Sequence, residues 1–155
     1  MQDHPLSQQA KVRCFGKSAA ITAEATVINK DRQAPVPTVN LEVAPREGAD
    51  VNWSRKIVIQ LSDQELPVLC GLFMGYIPRI HFKRPGKGIE LERQPGGIYI
   101  KASAGHGALF SLPAGIGDSF RLCALFLQQL RLQSGIGNET LLLAALRGAS
   151  TLYKP

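Results

Sequence analysis

The sequence predicts an α+β fold made of two consecutive ββββα units. Residues 55–76 read as a strand, a Leu-Ser turn and an apolar helix, and residues 108–132 repeat that order with a Ser-Leu-Pro turn. A run of short alternating segments precedes each of these stretches. Neither unit could bury its apolar face alone, so we expect two antiparallel sheets packed with two main helices.

Four strands are expected in the first unit, where apolar and polar residues alternate with the period of a half-buried strand. They cover residues 11–15, 19–30, 38–44 and 55–61. The first helix is expected over 62–76, because Ser62 and Glu65 have the spacing of a capping box and apolar residues follow at helical intervals. Pro67 lies near the limit of what a first turn tolerates, so an irregular first turn is expected.

The second unit contains four shorter alternating runs separated by Pro-Gly and Gly-rich turns. The runs cover residues 79–83, 88–93, 97–102 and 108–112, and helices follow at 116–133 and 139–147. The longer helix carries one apolar stripe at helical spacing and further apolar residues beside it. The stripe consists of Ile116, Phe120, Cys123, Leu127 and Leu130. Such a helix needs cover on most sides, which favours a subunit interface over burial by the sheet and first helix alone.

Length and composition indicate a single globular domain of 155 residues with its core at about 10–133. Residues 1–9 are polar, lack the features of a secretory signal and are expected to fray. No uninterrupted apolar stretch has bilayer length, so no membrane association is expected. Cys14, Cys70 and Cys123 are too widely spaced for a zinc site or a disulfide framework. We therefore expect core thiols and a reducing, cytoplasmic location, with nucleoid association or an organelle left open.

The formal net charge is +6, which favours a polyanionic partner such as nucleic acid over a merely basic soluble protein. Catalysis has little support, because His81 and His106 have no motif partners and no nucleophile elbow or paired-His metal motif occurs. The segments Gly86-Lys87-Gly88 and Gly16-Lys17-Ser18 lack the spacing of phosphate loops and are expected to be hairpin turns. No enzyme activity, cofactor or metal is predicted.

A basic face is predicted on the second sheet. Alternation puts Arg79, His81 and Lys83 on one side of their strand, and Tyr99 with Lys101 on one side of another. With the hairpin cations, the candidate binding residues are Arg79, His81, Lys83, Arg84, Lys87, Tyr99 and Lys101. Cations for phosphates and aromatic planes for bases are what single-stranded nucleic acid requires. Glu90 and Glu92 dilute the charge and favour the alternative of an ordinary solvated sheet face.

A second group of cations and aromatic residues belongs to the first unit. It contains Lys17, Trp53 and Lys56 as candidate binding residues, together with Lys11, Arg13, Phe15 and Arg55. An exposed tryptophan between cations is a good platform for stacking bases. The alternative, that Trp53 caps the edge of the core, is equally compatible with the sequence.

Two segments resemble the Whirly family of single-stranded nucleic-acid-binding proteins, which includes mitochondrial guide-RNA-binding proteins. Residues 56–65, Lys-Ile-Val-Ile-Gln-Leu-Ser-Asp-Gln-Glu, are similar to the family's aromatic/aliphatic-x-Leu-Ser-x-x-Glu at the head of the first helix. Residues 16–21, Gly-Lys-Ser-Ala-Ala-Ile, resemble the Lys-Gly-Lys-Ala-Ala-Leu of plant members, with the first Lys missing and a Ser inserted.

The resemblance implies a homotetramer assembled through the helices at 62–76 and 116–133. It also implies that single strands lie across the sheets with little sequence preference. Carried over by position, Lys17 lies near the strand path, and the sheet-face contacts are Arg79, His81, Lys83, Tyr99 and Lys101. The acidic, aromatic tail of the plant proteins is replaced here by a short Leu-rich helix, so regulation by that tail is not implied.

Two other functional classes remain open at this point. One is a protein-interaction module of the same fold whose basic surface meets acidic proteins. The other is a coactivator-like dimer with a single ββββα unit in each chain, which predicts no internal pseudo-twofold.

Overall fold

A computed structural model describes residues 10–155. The polar segment 1–9, predicted to fray, lies outside the described residues. The first sheet is antiparallel and comprises β1 Lys11–Phe15, β2 Ala19–Ile28, β3 Val36–Glu47, the two-residue β4 Asp50–Val51 and β5 Ile57–Gln60. β3 lies centrally, with β2 on one side and β5 on the other. A single 3-10 turn, Trp53–Arg55, connects β4 to β5.

The second sheet is a simple antiparallel meander. It runs in the order β6 Arg79–Arg84, β7 Lys87–Gln94, β8 Gly97–Ala104 and β9 Ala108–Ala114. Consecutive cross-strand partners form a fully apolar row across its inner face. That row is Ile80, Leu91, Ile100 and Leu112, all buried. The alternation predicted for the second unit is therefore confirmed.

Each sheet is followed by a helix, α1 Glu65–Phe73 after the first and α2 Ile116–Ser134 after the second. A third helix, α3 Glu139–Ser150, begins at Asn138, whose Oδ1 accepts from the Leu141 N–H at 2.9 Å. Phe73 of α1 and Phe126 of α2 pack edge to face with their ring centroids 5.0 Å apart. The two equivalent helices therefore meet within the shared core, and the predicted α+β architecture is confirmed.

The start of α1 follows from its local sequence. The Ser62 N–H donates to Glu65 Oε1 at 3.0 Å, and the Glu65 N–H donates to Ser62 Oγ at 3.2 Å, so the predicted capping box forms. Pro67 lies in the first turn, where its missing N–H would have no intrahelical partner. A turn at Ser62 precedes the helix, which begins three residues later than predicted.

The predicted apolar stripe of α2 is only partly correct. The residues that face the core are Leu122, Leu125, Phe126, Gln129 and Leu130. Ile116 and Phe120, which the stripe included, are 81% and 74% exposed. The helix is apolar on more than one side, and spacing alone does not show which side meets the sheets.

One chain contains both ββββα units, so the alternative with one unit per chain is wrong for this protein. Among residues 10–155, none of the helices combines the length and apolarity that crossing a bilayer requires.

Candidate functional site

The outward face of the second sheet carries the predicted polar residues in three cross-strand rows. The first row is Arg79, Glu92 and Tyr99, and the second is His81, Glu90 and Lys101. The third is Lys83, Gly88 and Ser103. The structure thus places the predicted cations, the histidine and the tyrosine of this face together.

The charge of this face is mixed. Three cations and two carboxylates leave it a formal surplus of only +1, counting His81 as neutral. Lys101 Nζ lies 3.4 Å from Glu90 Oε1, and both side chains are substantially exposed. An exposed pair of this kind contributes little to stability. The face therefore offers separate charges of both signs rather than an uninterrupted cationic stripe.

Arg84 and Lys87, expected to join this face, lie on the opposite side of the sheet. β6 and β7 extend to the hairpin, so Arg84 pairs with Lys87 and keeps the parity of the buried Ile80 and Phe82. Only Pro85 and Gly86 form the loop, and Gly86 has φ +77°, a conformation that glycine adopts without strain.

Both hairpin cations are bound to the protein itself. Arg84 donates from Nη1 to Glu65 Oε2 at 3.0 Å and from Nη2 to Glu65 Oε1 at 2.7 Å. Arg84 Nη2 also donates to the Gln60 carbonyl at 2.7 Å, and Lys87 Nζ donates to the Val58 carbonyl at 2.6 Å. These contacts join the second sheet to the first unit, which is a structural role.

The candidates of the first unit are dispersed. The Arg13 guanidinium lies 4.8 Å from the centroid of the Trp53 ring and donates to Thr22 Oγ1 at 3.1 Å. One cation therefore already stacks on Trp53. Lys56 Nζ lies 3.4 Å from Glu42 Oε1. Neither Trp53 nor Lys56 lines a groove on the outward face of the second sheet.

Lys17, in contrast, is brought to the second sheet by close packing of the β1–β2 turn. Ser18 Oγ donates to the Ser111 carbonyl at 2.9 Å. A Cβ placed on Gly16 would lie 2.7 Å from Leu112 Cβ, so only glycine allows this approach without a shift. An open groove of about 810 Å³ results at the junction of the two sheets. Its lining residues are Phe15, Gly16, Lys17, Ser18, Arg46, Tyr99, Ser111 and Pro113.

Two more grooves continue from this junction. A groove of about 390 Å³ shares Tyr99 with it and runs over the rows of Arg79 and His81. A third, of about 330 Å³, shares His81 with the second, reaches Lys83 and extends around the hairpin, where Arg84 and Lys87 also line it. We call the surface formed by these three neighbouring grooves the sheet track. It is defined by Lys17, Tyr99, Lys101, Arg79, His81 and Lys83.

Tyr99 is the fixed aromatic element of the sheet track. Its hydroxyl donates to Ser111 Oγ at 2.8 Å, which holds the ring in one orientation between two grooves. Sequence reasoning missed Val68 and Tyr153, which also line the second groove. It also left Phe15, which is 57% exposed, outside the candidate set. No local pattern could have identified Val68 and Tyr153, because they come from α1 and from the C-terminal end of the chain.

Several apolar side chains on α2, on α3 and after α3 are exposed. They are Ile116, Phe120, Leu132, Leu141 and Leu152. A groove of about 290 Å³ between α2 and α3 is lined partly by Leu127, Leu142 and Leu143. Ile116 and Phe120 lie one turn apart on the same side of α2, and neighbouring exposed apolar side chains of this kind are typical of protein interfaces.

No chemistry of metals or thiols is built into the described part of the chain. No group of three or more His, Cys, Asp or Glu residues there could hold a metal ion. Burial, together with the nearby Asp118 carboxylate, raises the pKa of the Cys14 thiol to about 11. Burial likewise raises the pKa of Cys70 and Cys123, so these thiols stay protonated and weakly nucleophilic near neutral pH.

No protein-family model and no curated protein sequence matches this chain. Solved structures do match its fold. The plant transcriptional regulator PBF-2 superposes with a TM-score of 0.62 at 20% identity, covering 81% of this chain and 82% of that one. A guide-RNA-binding protein complex bound to a guide RNA gives 0.54 at 12% identity, covering 75% and 94%. Trypanosome MRP1/MRP2 gives 0.51 at 14% identity, covering 73% and 94%. The predicted Whirly-like fold is thereby confirmed.

Proposed function

We propose that this protein binds single-stranded nucleic acid along the sheet track and does so without catalysis. One observation carries the proposal. Three grooves that share Tyr99 and His81 follow one another from Lys17, at the junction of the sheets, to Lys83, and the hydrogen-bonded Tyr99 lies between two of them. Cations for phosphates and an aromatic face for bases are the two components that single-strand binding uses.

The geometry favours single strands over duplexes. Tyr99 can stack only on a base that is not already stacked and paired within a helix. Among the cations of the sheet track, Lys17, Arg79 and Lys83 form no ion pair within residues 10–155, and the first and last lie at opposite ends of the track. Phosphates are therefore expected at the ends and bases over the middle.

Proteins of the same fold support the proposal. One is a transcriptional regulator, and another is a guide-RNA-binding protein bound to its RNA. Recognition of a defined sequence is not part of the proposal, because phosphate contacts and stacking are both tolerant of sequence.

The proposal includes a homotetramer assembled through α1 and α2. The exposed Ile116 and Phe120 on α2 support it, because a second copy would remove them from water. A reducing, intracellular location is also proposed, supported by the three free thiols.

The proposal is tested by a charge-removal variant of the track. Lys17, Arg79 and Lys83 are replaced together by Ala, and binding of a fluorescent mixed-sequence single strand is titrated at several salt concentrations. Each lost phosphate contact should reduce the slope of log affinity against log salt by about 0.7, so loss of the two end contacts at Lys17 and Lys83 should lower it by about 1.4. Melting temperature should change little, because all three side chains are exposed.

The matched control removes three exposed cations outside the sheet track, with Lys30, Arg32 and Arg147 replaced by Ala. This control should bind like the original protein. Absence of binding by the original protein at low salt, or equal loss in both triple variants, would overturn the proposal. Effective competition by polyglutamate at equal charge concentration would instead favour the protein-interaction module.

A further inference from the structure

The middle of the sheet track carries carboxylates, which a phosphate-binding surface alone does not require. Glu92 stands in register between Arg79 and Tyr99, and Glu90 between His81 and Lys101. Both carboxylates line the groove of about 390 Å³. Glu90 is already paired with Lys101. Glu92 makes no ion pair within residues 10–155, although Arg79 is its neighbour across the strands.

These charges determine which part of a nucleotide can occupy the groove. A phosphate beside Glu92 would be repelled, whereas a base stacked on Tyr99 would present its polar edge to the carboxylate. An ionised carboxylate only accepts hydrogen bonds. The favoured bases are therefore those that present N–H donors at that edge.

We propose that Glu92, beside Tyr99, makes the sheet track prefer bases with exocyclic amino groups over thymine and uracil. The N4 amino group of cytosine is a donor that Glu accepts well, and adenine and guanine also carry amino donors. Thymine and uracil present only the N3–H donor, which lies between the O4 and O2 acceptors, so a carboxylate that approaches it meets two carbonyl oxygens; the N4 amino group of cytosine lies at the end of the edge and can be reached without this repulsion. The inference rests on the proposed function and adds a preference for base composition to it.

The test compares single-stranded oligo-dC with oligo-dT of equal length, at a pH above 7.5 where oligo-dC stays unfolded. Equal length gives both strands the same number of phosphates, so the electrostatic contribution is shared. The original protein should bind oligo-dC about tenfold more tightly, which is within the discrimination that a good side-chain contact to a base provides. The rC and rU pair repeats the comparison for RNA.

The decisive variant is Glu92→Gln, which keeps the shape of the side chain and adds a donor. The ratio of affinities for oligo-dC and oligo-dT should fall to about one, mainly because oligo-dT binds more tightly once the carboxylate is gone. The matched control is Glu24→Gln on the first sheet, where Glu24 pairs with Lys11 and Asn40 and lies outside the three grooves. It removes the same charge and should preserve the ratio.

The outcomes separate the inference from the proposed function. Equal binding of both strands by the original protein would overturn the inference alone. So would a Glu92→Gln variant that binds both strands more tightly with an unchanged ratio, since Glu92 would then act only through its charge. Failure of both strands to bind at all would overturn the inference and the proposed function together.

Discussion

Arg84 illustrates how one side chain can serve stability where its charge suggested binding. Its guanidinium bonds both oxygens of Glu65 and the Gln60 carbonyl, so it joins β6 of the second unit to the end of β5 and the start of α1. Fork-shaped bonding of this kind is characteristic of arginine and is not reproduced by lysine. Arg84 therefore connects the two ββββα units through its hydrogen bonds.

Replacing Arg84 by Ala should destabilise the fold by about 1–3 kcal/mol, because hydrogen bonds to a charged group are lost and Glu65 is left half-buried. For a chain of this size the melting temperature should fall by about 2–4 °C per kcal/mol. Thermal unfolding followed by circular dichroism measures the change. The neighbouring Lys83→Ala is the control, since Lys83 is exposed on the other face. An unchanged melting temperature in Arg84→Ala would show that the connection contributes nothing.

At the scale of the element, α1 depends on the ionised state of Glu65 at its N-terminus. Burial acts to raise the pKa of this carboxyl, but the hydrogen bonds from Arg84 and from the Ser62 N–H outweigh it. The pKa in the folded protein therefore lies below the ordinary value of 4.5. A lowered folded-state pKa means that the stabilisation is fully present above that ordinary value and is lost as pH falls through the folded value.

Glu65→Gln should therefore be less stable than the original protein at pH 7, and the difference should shrink below about pH 4.5. Denaturant unfolding at a series of pH values measures it. Exposed Gln64→Glu, one residue earlier, is a control that adds a carboxylate without the Arg84 contact. A difference in unfolding free energy that stays constant from pH 7 to pH 3 would contradict the assignment.

The helix α2 illustrates how an apolar element can remain partly uncovered within one chain. Its sequence is apolar on more than one side, and only one side is covered within the chain. On the covered side, Gln129 Nε2 donates to the carbonyl of Thr38 in β3 at 2.8 Å, so this buried side-chain amide has a hydrogen-bond partner. On the uncovered side of α2, Ile116 and Phe120 remain in contact with solvent.

For the whole molecule, that uncovered side predicts self-association. Phe120→Glu would put a charge into the proposed interface and should reduce the oligomer to a smaller species without unfolding the chain, since Phe120 has few internal contacts to lose. Light scattering coupled to size exclusion measures the mass, and circular dichroism measures the fold. Gln33→Glu in the β2–β3 loop is a control of equal charge change. A monomeric original protein would rule out the interface.

Much of this molecule could be predicted from local patterns. Alternation identified the order of the two units and the shared face of Arg79, His81 and Lys83, because a strand assigns its sides residue by residue. The capping box at Ser62 was an equally local signal. The same parity places Arg84 with Ile80 and Phe82, but the prediction assumed a longer turn that released it from the strand.

What the sequence determined by itself is therefore the content of each unit: its strands, its helix starts and the two sides of each strand. The tertiary structure alone decided which side of α2 is covered and which cations are bound internally. It also decided that Lys17 and Tyr99 meet in one groove, although they are far apart in the chain. Such choices depend on packing between distant segments, as in the approach of Gly16 to Leu112, and packing of that kind leaves no periodic signal in the sequence.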